Sequence, residues 1–465
     1  MITLRPYQSA GIQQIKDAFA KGFKAPLYVL PTGGGKTVCF AHIAQSSERR
    51  GRRVLILCHR VELVDQIVDA LRQCDVEPDI IAAGYNRALR AERASNRAVA
   101  VASVQTLVRR LDSYPPPTLI IIDECHHAAA GSWSEIMRKY DSARRLGVTA
   151  TPIRLDGRGL AGHFDTLITG PSVRELIDGG YLAPPRVFAP PTVDTSGLHV
   201  RAGDYRTEEA EALMDVPSIT GDALSHYRRH ADGKRALVFC TSVEHARNVA
   251  AQFNRDGIAA MALDGNTDRM VRRMAVQDFR DGKIRMLASC DLFSEGFDAP
   301  GTEVGILLRP TQSEALWRQQ IGRVLRPAPG KDHALIFDHV GSTVKFGLPD
   351  APREWSLTAN ATRRAKKPPP AVRVCPKCFA ASPARAAACV DCGHVFPIKP
   401  RQELEEREGE LVEITAEQLA KREARIEQGR AATLAQLTEI ARIKGYRPGW
   451  AEKILAARMA KKAAV

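Results

Sequence analysis

Four short apolar runs recur early in the chain: APLYVL (25–30), RVLILC (53–58), AVAVAS (98–103) and TLIIID (118–123). Stretches of helical periodicity separate them. Strands that are apolar on both faces and alternate with helices predict a parallel sheet covered by helices. The rhythm starts again at ALVFC (236–240) and continues through AAMAL (259–263), IRMLAS (284–289) and EVGILLR (303–309). This predicts two tandem α/β lobes, residues 1–185 and 225–345. Residues 186–224 between them are rich in proline and polar residues and read as a linker with little regular structure. Residues 361–400 carry clustered cysteines. Residues 401–465 are charged and helix-favouring, and end in a small helical hairpin with Tyr446 and Trp450 at its turn.

The first apolar run leads into VLPTGGGKTVCF (29–40), a buried strand, a glycine turn and a helix start. Backbone N–H groups can face an anion only where side chains leave room, and Gly33, Gly34 and Gly35 supply that room. The following helix points its positive end at the bound phosphates. Lys36 would reach the β/γ-phosphates, and the Thr37 hydroxyl would hold Mg²⁺. The general pattern for such loops wants a glycine five positions before Gly35, where this chain has Leu30, so the loop is a variant. A second strand should supply an acid. TLIIID ends in Asp123, followed by Glu124, at the C-terminal edge of a parallel sheet, where ligands bind. Asp123 would hold Mg²⁺ and Glu124 would polarise the attacking water. In the second lobe, QQIGRVLR (319–326) reads as a helix with Arg323 and Arg326 three apart on one face. Both could take phosphate oxygens.

These motifs and their order resemble the superfamily 2 helicases and translocases of the DEAD/DEAH-box type, near the bacterial and phage RadD and XPB-type branch. PTGGGKT and DECH match the family's phosphate loop, which lacks the early glycine, and its carboxylate motif. LRPYQ (4–8), LCHRVELVDQ (57–66), VASVQTLVRR (101–110) and TATP (149–152) resemble further motifs of the first lobe. LVFCTSVEHA (237–246), SCDLFSEGFDAP (289–300) and QQIGRVLRP (319–327) resemble those of the second. The resemblance spans residues 1–345 and implies two RecA-like lobes with ATP in the cleft between them. It puts Arg5 and Gln8 on the adenine side and Thr32 in the phosphate loop with the glycines. It puts Gly296 and Asp298 at the ribose, and Gln319, Arg323 and Arg326 among the catalytic residues, Arg326 being the arginine finger. His126 would link the carboxylate strand to Gln319. His59, Arg60, Thr106 and Thr241 would contact the nucleic-acid backbone, with little sequence preference.

Charge and cysteine usage extend this picture. A net charge of +14 and a pI near 9.4 favour a polyanionic partner. Cys39, Cys58, Cys74, Cys125, Cys240 and Cys290 are scattered in or beside apolar runs, as reduced core residues of a cytoplasmic protein would be. No apolar run is long enough to span a membrane, and the N-terminus lacks the shape of a signal peptide. CPKC (375–378) and CVDC (389–392) form two knuckles whose four thiolates suit a structural Zn²⁺. A redox pair and an iron–sulfur cluster are the competing readings. Residues 361–400 hold eight Lys/Arg against one acid, so this ribbon is a candidate nucleic-acid or protein contact. The expected activity is ATP-driven movement on nucleic acid, with DNA favoured and a role in repair, recombination or phage replication. An RNA helicase, a restriction-system motor subunit and an ATPase adaptor for recombination proteins are the alternatives.

Overall fold

The computed structural model describes residues 3–59, 61–85, 97–127, 131–153, 159–189, 194–201, 203–290, 299, 301–358, 372–397, 428, 431 and 433–463. By its contacts the chain divides into two compact units, residues 1–397 and 398–465. Among the described residues, no helix is long and apolar enough to cross a membrane.

The larger unit carries two parallel sheets. The first comprises β1 (Pro26–Val29), β2 (Val54–Cys58), β3 (Asp79–Ile81), β4 (Val99–Ser103), β5 (Leu119–Asp123), β6 (Arg144–Thr149) and β7 (Thr166–Thr169). They lie in the order β3-β4-β2-β5-β6-β1-β7, and every pairing is parallel. Every residue of β1, β2, β4 and β5 is buried, which is why these strands read as unbroken apolar runs. Helices cover both faces, and the sheet separates two cores. Phe40, Val64 and Ile67 lie on one side, and Leu107, Trp133 and Ile136 on the other.

The second sheet draws on a strand that the sequence pattern missed. β8 (Pro185–Phe188) lies inside the stretch expected to be a linker and pairs in parallel with a strand nearly 150 residues later. A short hairpin, β9 (Val200–Arg201) and β10 (Asp204–Tyr205), follows, and then helices Thr207–Met214 and Pro217–Ala231. Among its described residues, the stretch 186–224 is therefore largely regular structure. Its prolines hide β8 because only two of its residues, Val187 and Phe188, are buried. The remaining strands are β11 (Ala236–Phe239), β12 (Ala260–Leu263), β13 (Met286–Ser289), β14 (Val304–Leu307) and β15 (Ala334–Asp338), in the parallel order β12-β13-β11-β14-β15-β8.

The cysteine-bearing segment folds around a hairpin of β16 (Val372–Val374) and β17 (Ala381–Pro383), and it packs on the β8 edge. Ala189 N donates to Phe379 O at 2.8 Å, and Phe188 bridges to Ala380. Arg186 forms an ion pair with Asp391. Cys375, Cys389 and Phe396 belong to the same buried cluster as Phe188 and Phe337 of the second sheet.

After the second sheet the chain also returns to the first lobe. Leu160 N and Ala161 N donate to Leu357 O at 2.8 and 3.0 Å. Trp355 and Leu357 pack on the first lobe's core. In the smaller unit, helices Leu434–Lys444 and Trp450–Ala463 form a hairpin over Leu437 and Ala451, with the Tyr446 and Trp450 rings 4.5 Å apart at the turn.

Candidate active site and cysteine cluster

The phosphate loop joins β1 to the helix Lys36–Glu48. Gly33 and Gly35 sit at φ +86° and +83°, the left-handed region that glycine tolerates. Gly34 N donates to Pro31 O at 2.9 Å, which tightens the turn. A Cβ on Gly35 would lie 2.3 Å from Gln8 Nε2, so the glycine also admits Gln8. Gln8 is buried. Its Oε1 accepts from Arg5 N at 2.9 Å and its Nε2 donates to Gly34 O at 3.2 Å. Tyr7 OH donates to the same carbonyl at 2.8 Å, and Arg5 Nη1 donates to Tyr7 OH at 3.1 Å. The Arg5 guanidinium lies 4.9 Å from the centre of the Tyr181 ring. Arg5 and Gln8 thus stand beside the phosphate loop, with Tyr7 between them.

β5 delivers Asp123 and Glu124 to the same edge. Glu124 adopts φ +46°, uncommon for a residue with a side chain, and its amide donates to Asp123 Oδ1 at 3.1 Å. Lys36 Nζ stands 3.0 Å from Glu124 Oε1, and both side chains are nearly buried. On the other side of Glu124, Thr149 Oγ1 lies 3.3 Å from Oε2 and 3.0 Å from His126 Nδ1. Thr151 N donates to the same Thr149 oxygen at 3.2 Å. The carboxylate is therefore held between the phosphate-loop lysine and the Thr149–Thr151 turn, a link that the sequence motifs leave open. Thr37 is half-buried in the first turn of its helix. Its hydroxyl and the Asp123 carboxylate are hard oxygen donors of the kind that suit Mg²⁺.

The second lobe closes this edge through the helix Glu314–Val324. A Cβ on Gly322 would lie 2.3 Å from Thr32 Cβ, so the helix approaches the phosphate loop more closely than any side chain allows. A Cβ on Gly33 would lie 3.5 Å from Arg326 Cγ, which places the stem of Arg326 against the glycine turn. Burial draws the Arg326 pKa down to about 10. Arg323 is half-buried in the last turn of the helix. Gln319 is buried, and its Nε2 has no hydrogen-bond partner among the described residues. Gly322, Tyr7 and Thr149 are the contributors that residue-by-residue reasoning did not single out. Beside Thr32 and Gly322 lies a cavity of about 260 Å³ between the lobes, walled by Trp317, Arg318 and Trp355.

The remaining candidates vary in placement. His59 follows β2 and Thr106 follows β4 on the same sheet edge. Gln105 Nε2 donates to His59 O at 2.9 Å, and Ser103 Oγ donates to Thr106 Oγ1 at 2.9 Å. Thr241 follows β11 but is buried, with its hydroxyl 2.8 Å from His245 Nδ1. Arg60, Gly296 and Asp298 lie outside the described residues.

The cysteine cluster is compact. Cys375, Cys378, Cys389 and Cys392 hold their sulfurs within 4.8 Å of one another. Cys375 Sγ lies 3.7 Å from Cys392 Sγ, and Cys378 Sγ lies 3.6 Å from Cys389 Sγ. Tetrahedral ligation at the usual Zn–S length puts sulfurs about 3.8 Å apart, so the set fits zinc. Of the scattered thiols, Cys39, Cys58, Cys74, Cys125 and Cys240 are buried and Cys290 is half-buried. Burial pushes the Cys39 thiol up to about 12, which keeps it protonated and unreactive.

Residues 1–154 match the family described as type III restriction enzyme, res subunit, and residues 219–328 match the helicase conserved C-terminal domain. A 51.5 kDa protein of a Lactococcus phage is 34% identical over 391 residues, which cover 84% of this chain and 82% of that protein. The putative ATP-dependent helicase IRC3 of Saccharomyces cerevisiae is 31% identical over 75% of this chain, and the match spans 53% of the yeast protein. Among solved structures, a fragment of a putative HsdR subunit of a type I restriction enzyme from Vibrio vulnificus YJ016 superposes with a TM-score of 0.59. It covers 75% of this chain and 67% of that chain at 24% identity, which establishes the shared fold. The chain thus spans most of its phage relative but about half of the yeast one. With its phosphate loop, carboxylate strand and arginine-bearing helix meeting at one cleft, this chain belongs to the superfamily 2 helicases and is an ATP hydrolase of that superfamily, acting on nucleic acid.

Proposed function

We propose that the chain is a DNA translocase or helicase that couples ATP hydrolysis in the inter-lobe cleft to strand movement. The observation that carries this reading is the convergence of Lys36, Glu124 and the stem of Arg326 on one glycine turn from two lobes. In this reading Arg5 and Gln8 meet the adenine, and Gly33, Gly34 and Gly35 offer their amides to the phosphates. Thr32 carries the loop's contact to the second lobe. Lys36 leaves Glu124 for the β/γ-phosphates when ATP enters, which frees Glu124 to take a proton from the attacking water. Thr37 and Asp123 hold Mg²⁺, which neutralises developing phosphate charge when bound. Arg326, with Arg323 and Gln319 on the same helix, stabilises charge on the transferring phosphoryl group. The Thr149–Thr151 turn, touching Glu124, carries the state of the cleft to the strand-gripping surface.

Two further readings accompany this one. His59 and Thr106 grip phosphates at the C-terminal edge of the first sheet, and Arg60, next to His59 in the sequence, is a further candidate for the same contact. Thr241 is better placed to orient His245 than to meet a strand. DNA is the favoured track because the family matching residues 1–154 is that of a restriction-enzyme subunit, and restriction enzymes act on DNA. The net charge of +14 supports a sequence-independent polyanion contact. The four-cysteine cluster holds a structural Zn²⁺, and the ribbon around it meets nucleic acid or a protein partner.

ATP turnover measured alone and with single-stranded, duplex and forked DNA and with RNA, at fixed low salt, tests the reading. Stimulation by one DNA form is expected, and stimulation by RNA alone would overturn the DNA assignment. Lys36→Ala and Glu124→Gln should each lower turnover by about 10²-fold or more. Near-normal turnover in Glu124→Gln would remove the proposed base.

A further inference from the structure

The helix Glu314–Val324 ends beside the phosphate loop, and the chain then turns sharply through Leu325, Arg326 and the Pro327-Ala328-Pro329-Gly330 stretch. Gly330 at φ +73° completes the turn, and Lys331 N donates to Ala328 O at 3.1 Å. A helix end leaves carbonyls without partners and carries partial negative charge. Here three successive carbonyls are taken. Leu325 O accepts from Ala183 N at 2.8 Å. Val324 O and Arg326 O both accept from the Lys331 ammonium, the latter at 2.8 Å. The third Lys331 donor reaches Thr302 O at 2.6 Å, just ahead of β14. One ammonium thus ties the backbone on both sides of Leu325 to the floor of the second sheet.

Lys331 is not an ordinary surface lysine. Burial, with Arg235 and Arg326 nearby, pushes its pKa down to about 7, and only Glu303 acts in the opposite direction among its charged neighbours. The three carbonyls and the helix end favour the charged form and give all three ammonium donors a partner. The residue it anchors is the one whose stem lies against Gly33.

We propose that Lys331 is a positioning residue for hydrolysis, fixing the Arg326 backbone so that the guanidinium reaches the phosphoryl group. The proposal rests on the reading of Arg326 as the residue that stabilises the transferring phosphate. A displacement of about 1 Å at such a group can cost about 100-fold in rate. All three Lys331 donors are taken by backbone carbonyls of the second lobe, so its removal should leave ATP binding intact.

The experiment compares Lys331→Met, Lys331→Arg, Arg326→Ala and the Lys331→Met/Arg326→Ala pair in the full chain. The measurements are kcat, KM for ATP and melting temperature, with saturating DNA. Lys331→Met is expected to lower kcat about 10- to 100-fold with KM for ATP within about twofold of the parent. Lys331→Arg, which keeps a charge and several donors, should recover part of the loss. In the Arg326→Ala background, Lys331→Met should add nothing, because both changes disable one group. A multiplicative double variant, or a Lys331→Met protein with normal kcat, would overturn the inference while leaving Arg326 in its role. An Arg326→Ala protein with normal kcat would overturn both. If Lys331→Met does not melt cooperatively, Lys331→Gln takes its place in the same cycle.

Discussion

Gly322 shows how one absent side chain can set the distance between two lobes. A methyl group there would stand 2.3 Å from Thr32 Cβ, so Gly322→Ala has to push the Glu314–Val324 helix away from the phosphate loop. The position is not in a left-handed conformation, so the substitution carries no backbone strain of its own. We expect kcat to fall about tenfold or more with little change in melting temperature. Unchanged turnover would mean that this contact is not needed for hydrolysis. Gly33, Gly34 and Gly35 were legible in the sequence because a glycine triplet before Lys-Thr has few other uses. Gly322 was not, since nothing along the chain says that Thr32 lies opposite. The same holds for Lys331, whose partners are carbonyls and leave no trace in side-chain patterns. Asp123 and Glu124 were legible as the end of a buried strand. The bond from Thr149 to the same carboxylate required the register of β5 on β6, with Asp123 opposite Val148.

At the scale of elements, the fully buried strands β1, β2, β4, β5, β11, β13 and β14 announced themselves as apolar runs, whereas β3, β6, β7 and β8, each partly exposed, did not. β8 is the clearest case. It is a short edge strand entered through a proline, and its sheet partner β15 lies far along the chain. Its edge is covered by the cysteine ribbon. The four-cysteine spacing was legible; the site against which the ribbon packs was not. Because Cys375, Cys389 and Phe396 share a core with Phe188 and Phe337, the ribbon should act as part of the second lobe. If the four cysteines hold the proposed Zn²⁺, removing it should therefore do more than loosen a tail. A strong chelator, or Cys389→Ser, is expected to lower the melting temperature by about 5 °C or more and to reduce ATP turnover even without nucleic acid. A chelated protein with the parent's melting temperature and basal turnover would show that the ribbon is energetically independent of the lobe.

Within residues 1–397, two stretches of the described chain tie the lobes together besides the close approach of Gly322 to Thr32. One is the segment between β7 and β8. The other is the return of residues 349–358 to the first lobe. In the return, Arg353 Nε donates to Glu314 Oε1 at 2.9 Å and Arg174 pairs with Asp350. Trp355 lies under the Arg318 guanidinium at 5.7 Å, and Leu357 O holds Leu160 and Ala161. The strand-and-helix rhythm ends near residue 345 and marks nothing in this stretch, because its contacts are spread over single residues with no periodicity. Trp355→Ala would enlarge the inter-lobe cavity and release the strap. We expect a stability loss of about 2–3 kcal/mol and new protease cleavage within 349–358. Stability within about 0.5 kcal/mol of the parent would show that the strap does not carry force between the lobes.

Two attachments have a mechanical consequence that neither has alone. Bodies joined at one point can swing and twist in any direction. Bodies joined at two separated points keep one easy motion, a rocking about the line through both. Opening and closing around ATP would then follow a single arc. The same arc on every cycle would give each hydrolysis event the same stroke and the same direction along the strand.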